Sequence, residues 1–463
     1  MPKVGQTQLR AAFARKMAEA YGREVPAYNT LVQVATGVNA DVLARDGAGA
    51  ERLGSIDWIT GERHGAIRVG TPAELRAVSR VFAALGMSPV GFYDLRDAAR
   101  SAVPVVSTAF RPVDAVELAR CPFRMFTSLL VTDDRRFFDA DLQSRLDGFL
   151  ARRGLFPPEL IALSDKAVAL GGLDAHDADQ FLESATVAFE LSAEPVDRAW
   201  YAELDRVSVV AADIGGVTTT HINHLTPRVL DIDELYRRMS ERGVVMIDDI
   251  QGPPRWHGPD VLLRQTSFRA LAEQRAFREL DGSVSRGQLR VRFGEVESRG
   301  IALTPAGRDR YDAMTVEVDR RLAQTPDVAR QQVAAKVWAE QLPASEDGLL
   351  REGLAFFTFR AGDRAASSSA ADVATLVADG ALVATPIVYE DFLPRSAAGI
   401  FQSNLTAEGS KDVAQVGVAR DAGWLSDVIG QPVADPTELY AGQQQASLDA
   451  ALPHPPRPPH LTR

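Results

Sequence analysis

The chain has 463 residues, with 62 acidic against 51 basic side chains and a net charge of −11. That balance excludes nucleic acid as a partner, because such affinity comes mainly from Lys and Arg neutralising phosphates; a local Arg pair can still hold a small anion. No apolar run reaches the roughly 18 residues of a membrane span, the N-terminal segment lacks the apolar core of a secretory leader, and the single cysteine, Cys121, excludes a disulfide framework or a thiolate cluster, so a cytoplasmic location is expected.

Apolar periodicity predicts helices over 8–22 and 26–45, an N-terminal unit within residues 1–50 that packs on a core spanning 51–440. A strand follows at Gly65–Val69. Thr71-Pro72-Ala73-Glu74 is a capping box with Pro at the first helical position, and the helix it starts closes at Gly86. Strands are expected at Val103–Phe110 and Phe123–Val131, giving β-α-β-β. Residues 135–200 read as a helical insertion. A second unit opens with a strand at His221–Leu230 and a helix over Asp231–Arg242. Then come a strand at Val244–Asp248, a helix over Leu262–Glu279 and a strand at Gln288–Glu297. Thr304-Pro305 caps a helix to Leu322, a second helix covers 327–342, and Phe356–Arg360 and Leu382–Tyr389 read as strands. Residues 441–463 read as a Pro-rich tail, with five prolines in the last twelve residues.

One stretch occurs twice. His64-Gly65-Ala66-Ile67-Arg68-Val69 precedes the helix start at Glu74-Leu75, and His224-Leu225-Thr226-Pro227-Arg228-Val229 precedes Glu234-Leu235; His, Arg, Val, Glu and Leu all recur at an offset of 160. Such a repeat suggests two related βα units. Residues four apart share a strand face, so each His has an Arg on its own side. A metal ligand beside a carboxylate clamp fits this pattern; two satisfied strand-end histidines fit either copy alone, and the repetition favours the metal. A third ligand candidate is Glu295, in line with Val291 and Phe293, since a carboxylate on an apolar face is costly unless paired or metal-bound. Two His and one carboxylate form the facial triad of non-heme Fe(II) oxygenases. Glu297 shares that face, and an exposed ion pair with Arg299 is expected of it. His221 is expected on the opposite strand face and His257 on a loop that could gate a pocket. Gly300–Arg308 resembles the wing of a winged-helix regulator, but no recognition helix precedes it. No phosphate-cradling Gly-rich loop is present.

The segments His64–Arg68, Asn223–Arg228, Leu263–Phe268, Phe293–Gly300, Tyr389–Pro394 and Ser396–Asn404 together resemble the bacterial 2-oxoadipate dioxygenase/decarboxylase family, also called 2-hydroxyglutarate synthase, of the vicinal oxygen chelate superfamily. Phe293–Arg299 is also similar to the iron-binding stretch of 4-hydroxyphenylpyruvate dioxygenase, which favours Glu295 over Glu297. The resemblance implies an α+β fold: a curved, open-barrel sheet of repeated βαβββ modules with large helical insertions near 135–200 and 304–342. It implies Fe(II) on His64, His224 and Glu295, Arg68 on the substrate carboxylate with Arg228 as its repeat mate, and a site lined by the segment holding Ser396. The reaction implied is 2-oxoadipate plus O2 giving 2-hydroxyglutarate plus CO2, in lysine catabolism. Arg395 departs from the small apolar residue expected before Ser396: pointed inward it adds a cation near the distal carboxylate, pointed outward it is solvated. The alternatives are a metal-dependent lyase or isomerase acting on another 2-oxo acid, and a ligand-binding protein with a disabled site.

Overall fold

The computed structural model describes residues 3–61, 63–97, 103–290, 292–325, 327–364, 372–394 and 410–452. Helices α1 (Gln6–Glu24) and α2 (Pro26–Asp46) open the chain. Strand β1 (Arg63–Val69) leads into α3 (Pro72–Ala84), then β2 (Ser88–Asp94), β3 (Val105–Arg111) and β4 (Arg124–Leu130). The helical stretch holds α4 (Ala140–Leu150), α5 (Pro158–Leu170), α6 (Ala175–Val187), α7 (Arg198–Val207) and α8 (Val209–Gly215). Strand β5 (His224–Pro227) and α9 (Ile232–Glu241) precede β6 (Leu263–Phe268), β7 (Glu273–Arg278), β8 (Val284–Leu289) and β9 (Gly294–Arg299). Helices α10 (Pro305–Gln324) and α11 (Arg330–Gln341), strands β10 (Phe357–Ala361) and β11 (Leu382–Pro386), and helices α12 (Ala422–Ile429) and α13 (Pro436–Ala451) complete the fold. No helix among the described residues is long and apolar enough to cross a membrane.

The architecture is α+β, with mixed sheets and no closed barrel among the described residues. The main sheet runs β2-β3-β4-β1-β5. Strand β1 is parallel to β4 and antiparallel to β5, and a parallel bridge from Arg228 to Glu297 carries the pairing on to β9, which is antiparallel to β6. One face of this sheet presents Ile67, Val69, Val106, Phe110, Met125, Leu129 and Leu225 to α1, α2 and α3; Ala66, Ala109, Phe126 and Leu130 join the core on the other side. This two-period alternation of core residues fixes the strand register.

The start of both βα units is as expected from sequence. Thr71 Oγ1 accepts from the Glu74 amide (3.1 Å) while the Glu74 carboxylate accepts from the Thr71 amide (3.1 Å), and Asp231 caps α9 by accepting from the Glu234 amide (3.0 Å). Elsewhere the structure corrects the sequence. Leu262–Glu279 is not a helix but strands β6 and β7: β6 pairs along its edges with β9 and the 246–251 segment and is buried at every residue, so it shows no alternation to read. The expected strand Gln288–Glu297 is broken, with β8 ending at Leu289 and β9 starting at Gly294, where a Cβ would lie 1.8 Å from the Phe268 ring. Residues Val244–Asp248 form only an isolated bridge, Met246 to Phe268. Strand β2 was hidden by Pro89 and Gly91, which mark a register shift between Val90 and Tyr93. Helix α13 runs through the start of the segment expected as a tail; residues 453–463, with all five prolines, lie outside the described residues.

Candidate metal centre

His64 sits on β1 and His224 on the neighbouring β5, paired with Thr226 and Ala66 respectively, so both project from one face of the sheet. Glu295 enters from β9, the next strand across. All three side chains are buried, and one ligand atom from each lies within 4.8 Å of the others. They are the one such group of three His, Cys, Asp or Glu side chains among the described residues. The carboxylate faces both imidazoles, with Oε1 3.3 Å from His64 Nε2 and Oε2 3.4 Å from His224 Nε2.

Surrounding groups hold these three in place. Gln265 Nε2 donates to Glu295 Oε1 (2.6 Å). Glu297 Oε2 lies 3.0 Å from His64 Nδ1, and its carboxylate accepts two bonds from Arg299 (2.7 and 3.0 Å). The expectation for Glu297 was therefore half right: Arg299 is its partner, but the pair is fully buried, not exposed. Phe392 meets the His64 ring edge-on at 5.0 Å and Phe293 lies 4.8 Å from the His224 ring, giving the site apolar walls.

These contacts set the protonation. Burial pushes the His224 imidazole down to about 4, with the nearby charges of His64 and Arg68 adding to the effect against Glu295. Burial acts the same way on His64, but the carboxylates of Glu297 and Glu295 outweigh it and hold its pKa above the ordinary 6.5. For Glu297, burial opposes ionisation; the Arg299 and His64 charges prevail and keep it well below the usual carboxylate range. A neutral His224 and an imidazole backed by an anionic carboxylate are what a divalent cation needs from two nitrogens.

Arg68 is buried on the His64 side of β1 and is ion-paired with Asp213 of α8. Asp213 also lies 3.2 Å from His221 Nε2 and accepts from Asn223 Nδ2 (2.9 Å). His221 precedes β5, so strand alternation does not govern it; rather than facing away, it joins the group around Arg68. Arg228 is buried, and its Nη2 donates to the Leu53 carbonyl (2.9 Å). Arg395 and Ser396 lie outside the described residues. His257 is exposed beside Trp256. Sequence reasoning missed Gln265, hidden in the supposed helix, and Asp213 and Phe392, which stand far along the chain from their partners.

The segment leading to Arg395 is pinned by three buried arginines. Arg299 Nη1 donates to the carbonyls of Tyr389 (2.9 Å) and Asp391 (3.2 Å), Arg124 pairs with the Glu390 carboxylate (2.7 Å), and Arg111 makes a two-pronged pair with Asp391 (2.9 and 3.1 Å). From α13, Tyr440 Oη accepts from the Glu390 amide (2.8 Å) and donates to the Asp391 carboxylate.

The sequence model of the 2-oxoadipate dioxygenase/decarboxylase family matches residues 13–404. The chain belongs to this family. A 2-oxoadipate dioxygenase/decarboxylase of Mycobacterium tuberculosis is 55% identical over 433 residues, covering 94% of this chain and 95% of the relative. One from Pseudomonas putida is 38% identical over 459 residues, covering 96% and 97%. The crystal structure of the Pseudomonas putida hydroxyglutarate synthase in complex with 2-oxoadipate superposes with a TM-score of 0.81 at 36% identity, covering 97% of this chain and 98% of that one. Family membership thus spans β1, β5 and β9, the three strands that carry His64, His224 and Glu295.

Proposed function

We propose that this chain is an Fe(II)-dependent enzyme that converts 2-oxoadipate and O2 to 2-hydroxyglutarate and CO2, with the metal on His64, His224 and Glu295. The observation that carries the reading is the buried convergence of two imidazoles and one carboxylate in a chain of this family. The donor set fits the metal: two nitrogen ligands and one anionic oxygen are the facial triad of non-heme iron, which leaves positions open for substrate and O2. When bound, Fe(II) supplies those open positions and the redox chemistry that O2-dependent decarboxylation requires. The protein's own groups do the rest. Glu297 fixes the His64 ring through Nδ1 and leaves Nε2 for the metal. Arg68 binds a substrate carboxylate, Arg228 serves as the second clamp, and the segment holding Ser396 completes the substrate site, to which Arg395 adds a cation near the distal carboxylate if it points inward. Phe392, Phe293 and Phe126 keep water out, and holding the shortened acid in place lets hydroxylation occur within one bound molecule.

The fold in this reading is the open, curved vicinal-oxygen-chelate sheet built from two βαβββ modules. The pairings support it. Strand β1 is parallel to β4 as β5 is to β9, and the 246–251 segment bridges β6 where β2 pairs with β3. In this register Arg68 faces Ser128 and Arg228 faces Glu297, so one strand repeat earlier Phe126 stands where Glu295 stands in the second unit. A phenyl ring at that place leaves three protein ligands rather than four.

The test is anaerobic Fe(II) loading followed by O2 uptake with 2-oxoglutarate, 2-oxoadipate and 2-oxopimelate. Uptake matched by CO2 release with 2-oxoadipate is expected. Turnover of a 2-oxo acid without O2 uptake would mean a lyase or isomerase.

A further inference from the structure

We propose that Asp213 is a positioning residue for substrate binding, acting through Arg68. The inference rests on the reading of Arg68 as the partner of a substrate carboxylate and extends it to a residue on another element. Four observations carry it. First, Asp213 is itself buried and ion-paired with Arg68 through Oδ2, which also accepts from Asn223, while His221 faces its Oδ1. Second, these partners hold it ionised: burial opposes the charge, but His221 and Arg68 keep its carboxyl well below the usual range.

Third, the anchor is rigid. Helix α8 is buried from Val210 to Gly215, Ser208 caps it by accepting from the Val210 amide (3.2 Å), and Trp200 Nε1 donates to the Gly215 carbonyl (2.8 Å). A Cβ at Gly215 would lie 2.4 Å from Leu146, so α8 rests directly on α4. Fourth, the loop that supplies the support is tied to the strand that carries Arg68. Thr220 Oγ1 donates to the Arg68 carbonyl (2.8 Å), and the Asn223 amide donates to the Ala66 carbonyl (2.9 Å). Asn223 directly precedes the ligand His224, so the same loop sets both the clamp and one end of the metal site.

The physical consequence concerns binding rather than chemistry. A free Arg side chain gives up about 2 kcal/mol of rotamer entropy when it is fixed. With Asp213 holding the guanidinium, that loss is taken during folding and not when substrate arrives. The Arg68–Asp213 pair is also neutral as a unit, so it recognises a carboxylate through the planar donor fork more than through net charge.

The experiment combines Asp213→Asn, Arg68→Lys and the double variant, each loaded with Fe(II). The readouts are metal content, the Kd of 2-oxoadipate by calorimetry without O2, and KM and kcat with O2. Asp213→Asn is expected to keep its metal and a kcat within about threefold, while Kd and KM rise roughly ten- to hundredfold, the effect of losing one buried charge-assisted hydrogen bond. In the Arg68→Lys background the same change is expected to add less than about threefold, because the two residues act as one unit. Equal effects in both backgrounds would assign Asp213 a merely structural role, and an unchanged or lowered Kd would overturn the proposal. If Asp213→Asn does not fold, His221→Gln takes its place, with a smaller rise in Kd expected and no rise overturning it. No turnover of 2-oxoadipate by the wild type sinks the functional reading and this proposal with it; turnover with an unmoved Kd in the variants sinks only this one.

Discussion

Replacing Glu297 by Gln tests whether the group behind a ligand matters as much as the ligand. The substitution keeps size and shape but removes a charge that lies between His64 Nδ1 at 3.0 Å and the Arg299 fork at 2.7 and 3.0 Å, with neither pair exposed. Breaking a buried ion pair by neutralising one partner typically costs about 3–5 kcal/mol. Arg299 keeps the Tyr389 and Asp391 carbonyls as acceptors, so the lower end, about 3 kcal/mol, is expected here. A second loss falls on the metal. An imidazole deprived of its carboxylate partner binds a cation roughly 10- to 100-fold more weakly. Denaturant unfolding of the metal-free protein reads the first quantity, and an anaerobic Fe(II) titration reads the second. Had the pair been exposed, the loss would be only about 0–1 kcal/mol. A Glu297→Gln protein within that range, and with wild-type metal affinity, would refute the assignment of Glu297 as the support of His64.

His64→Ala, His224→Ala and Glu295→Gln each remove one of the three proposed ligands, so iron affinity is expected to fall by more than the roughly 100-fold of a support residue, read as metal per chain after dialysis. Arg68→Lys keeps the charge but not the fork and is expected to raise KM about tenfold or more at constant iron content. His224 gives a pH dependence to the metal-free protein. Its folded pKa of about 4 lies below the ordinary 6.5, so the unfolded chain takes up the extra proton between them; the stability it contributes is full above about 6.5 and is lost as pH falls toward 4. Acidification from about pH 6.5 to about pH 5 should thus cost the wild type about 2 kcal/mol more than His224→Gln, measured by unfolding at both pH values. Tyr440→Phe removes the hydroxyl that joins α13 to Glu390 and Asp391, and a stability loss of about 1–3 kcal/mol is expected, with reduced turnover as the Phe392 wall loosens.

The parts of the fold legible in the sequence were those governed by local rules. The capping box at Thr71, the Pro-initiated α10 and the helices α1, α2 and α9 all stand within a few residues of expectation. Errors fell where tertiary contacts decide. Strand β6 is covered on both faces, so nothing in its pattern separates it from a buried helix. Strand β2 keeps its place despite Pro89 and Gly91 because Ala434, far along the chain, bonds to its free edge before and after Val90: the Gly91 amide donates to the Ala434 carbonyl (2.9 Å) and the Ala434 amide to the Pro89 carbonyl (3.0 Å). The two histidines of the candidate centre stood out because repetition is a sequence property; Glu295 has no counterpart in the repeat. The residues around them did not stand out: Asp213 reaches Arg68 across 145 positions, and Arg111 reaches Asp391 across 280.

The Glu295 and Glu297 pair shows what parity can and cannot say. Alternation put both on one face, correctly, and the further step of sending one of them to solvent had no support in alternation itself. The structure gives the reason both stay inside. Residues two apart on a strand are separated by about 6.6 Å, close to the span of an imidazole ring with a contact at each nitrogen. Glu295 stands at Nε2 of His64 and Glu297 at Nδ1, so a single buried His uses both carboxylates. The roles then divide by what lies beyond. Past Glu295 is a second imidazole and the space for a cation; past Glu297 is a guanidinium that already neutralises it. An anion with its own Arg is a poor metal ligand and a good hydrogen-bond partner, whereas an anion between two imidazoles lacks a full counter-charge until a cation arrives. The Arg two residues after Glu297, rather than depth along the strand, is what separates the proposed ligand from its proposed support in this stretch.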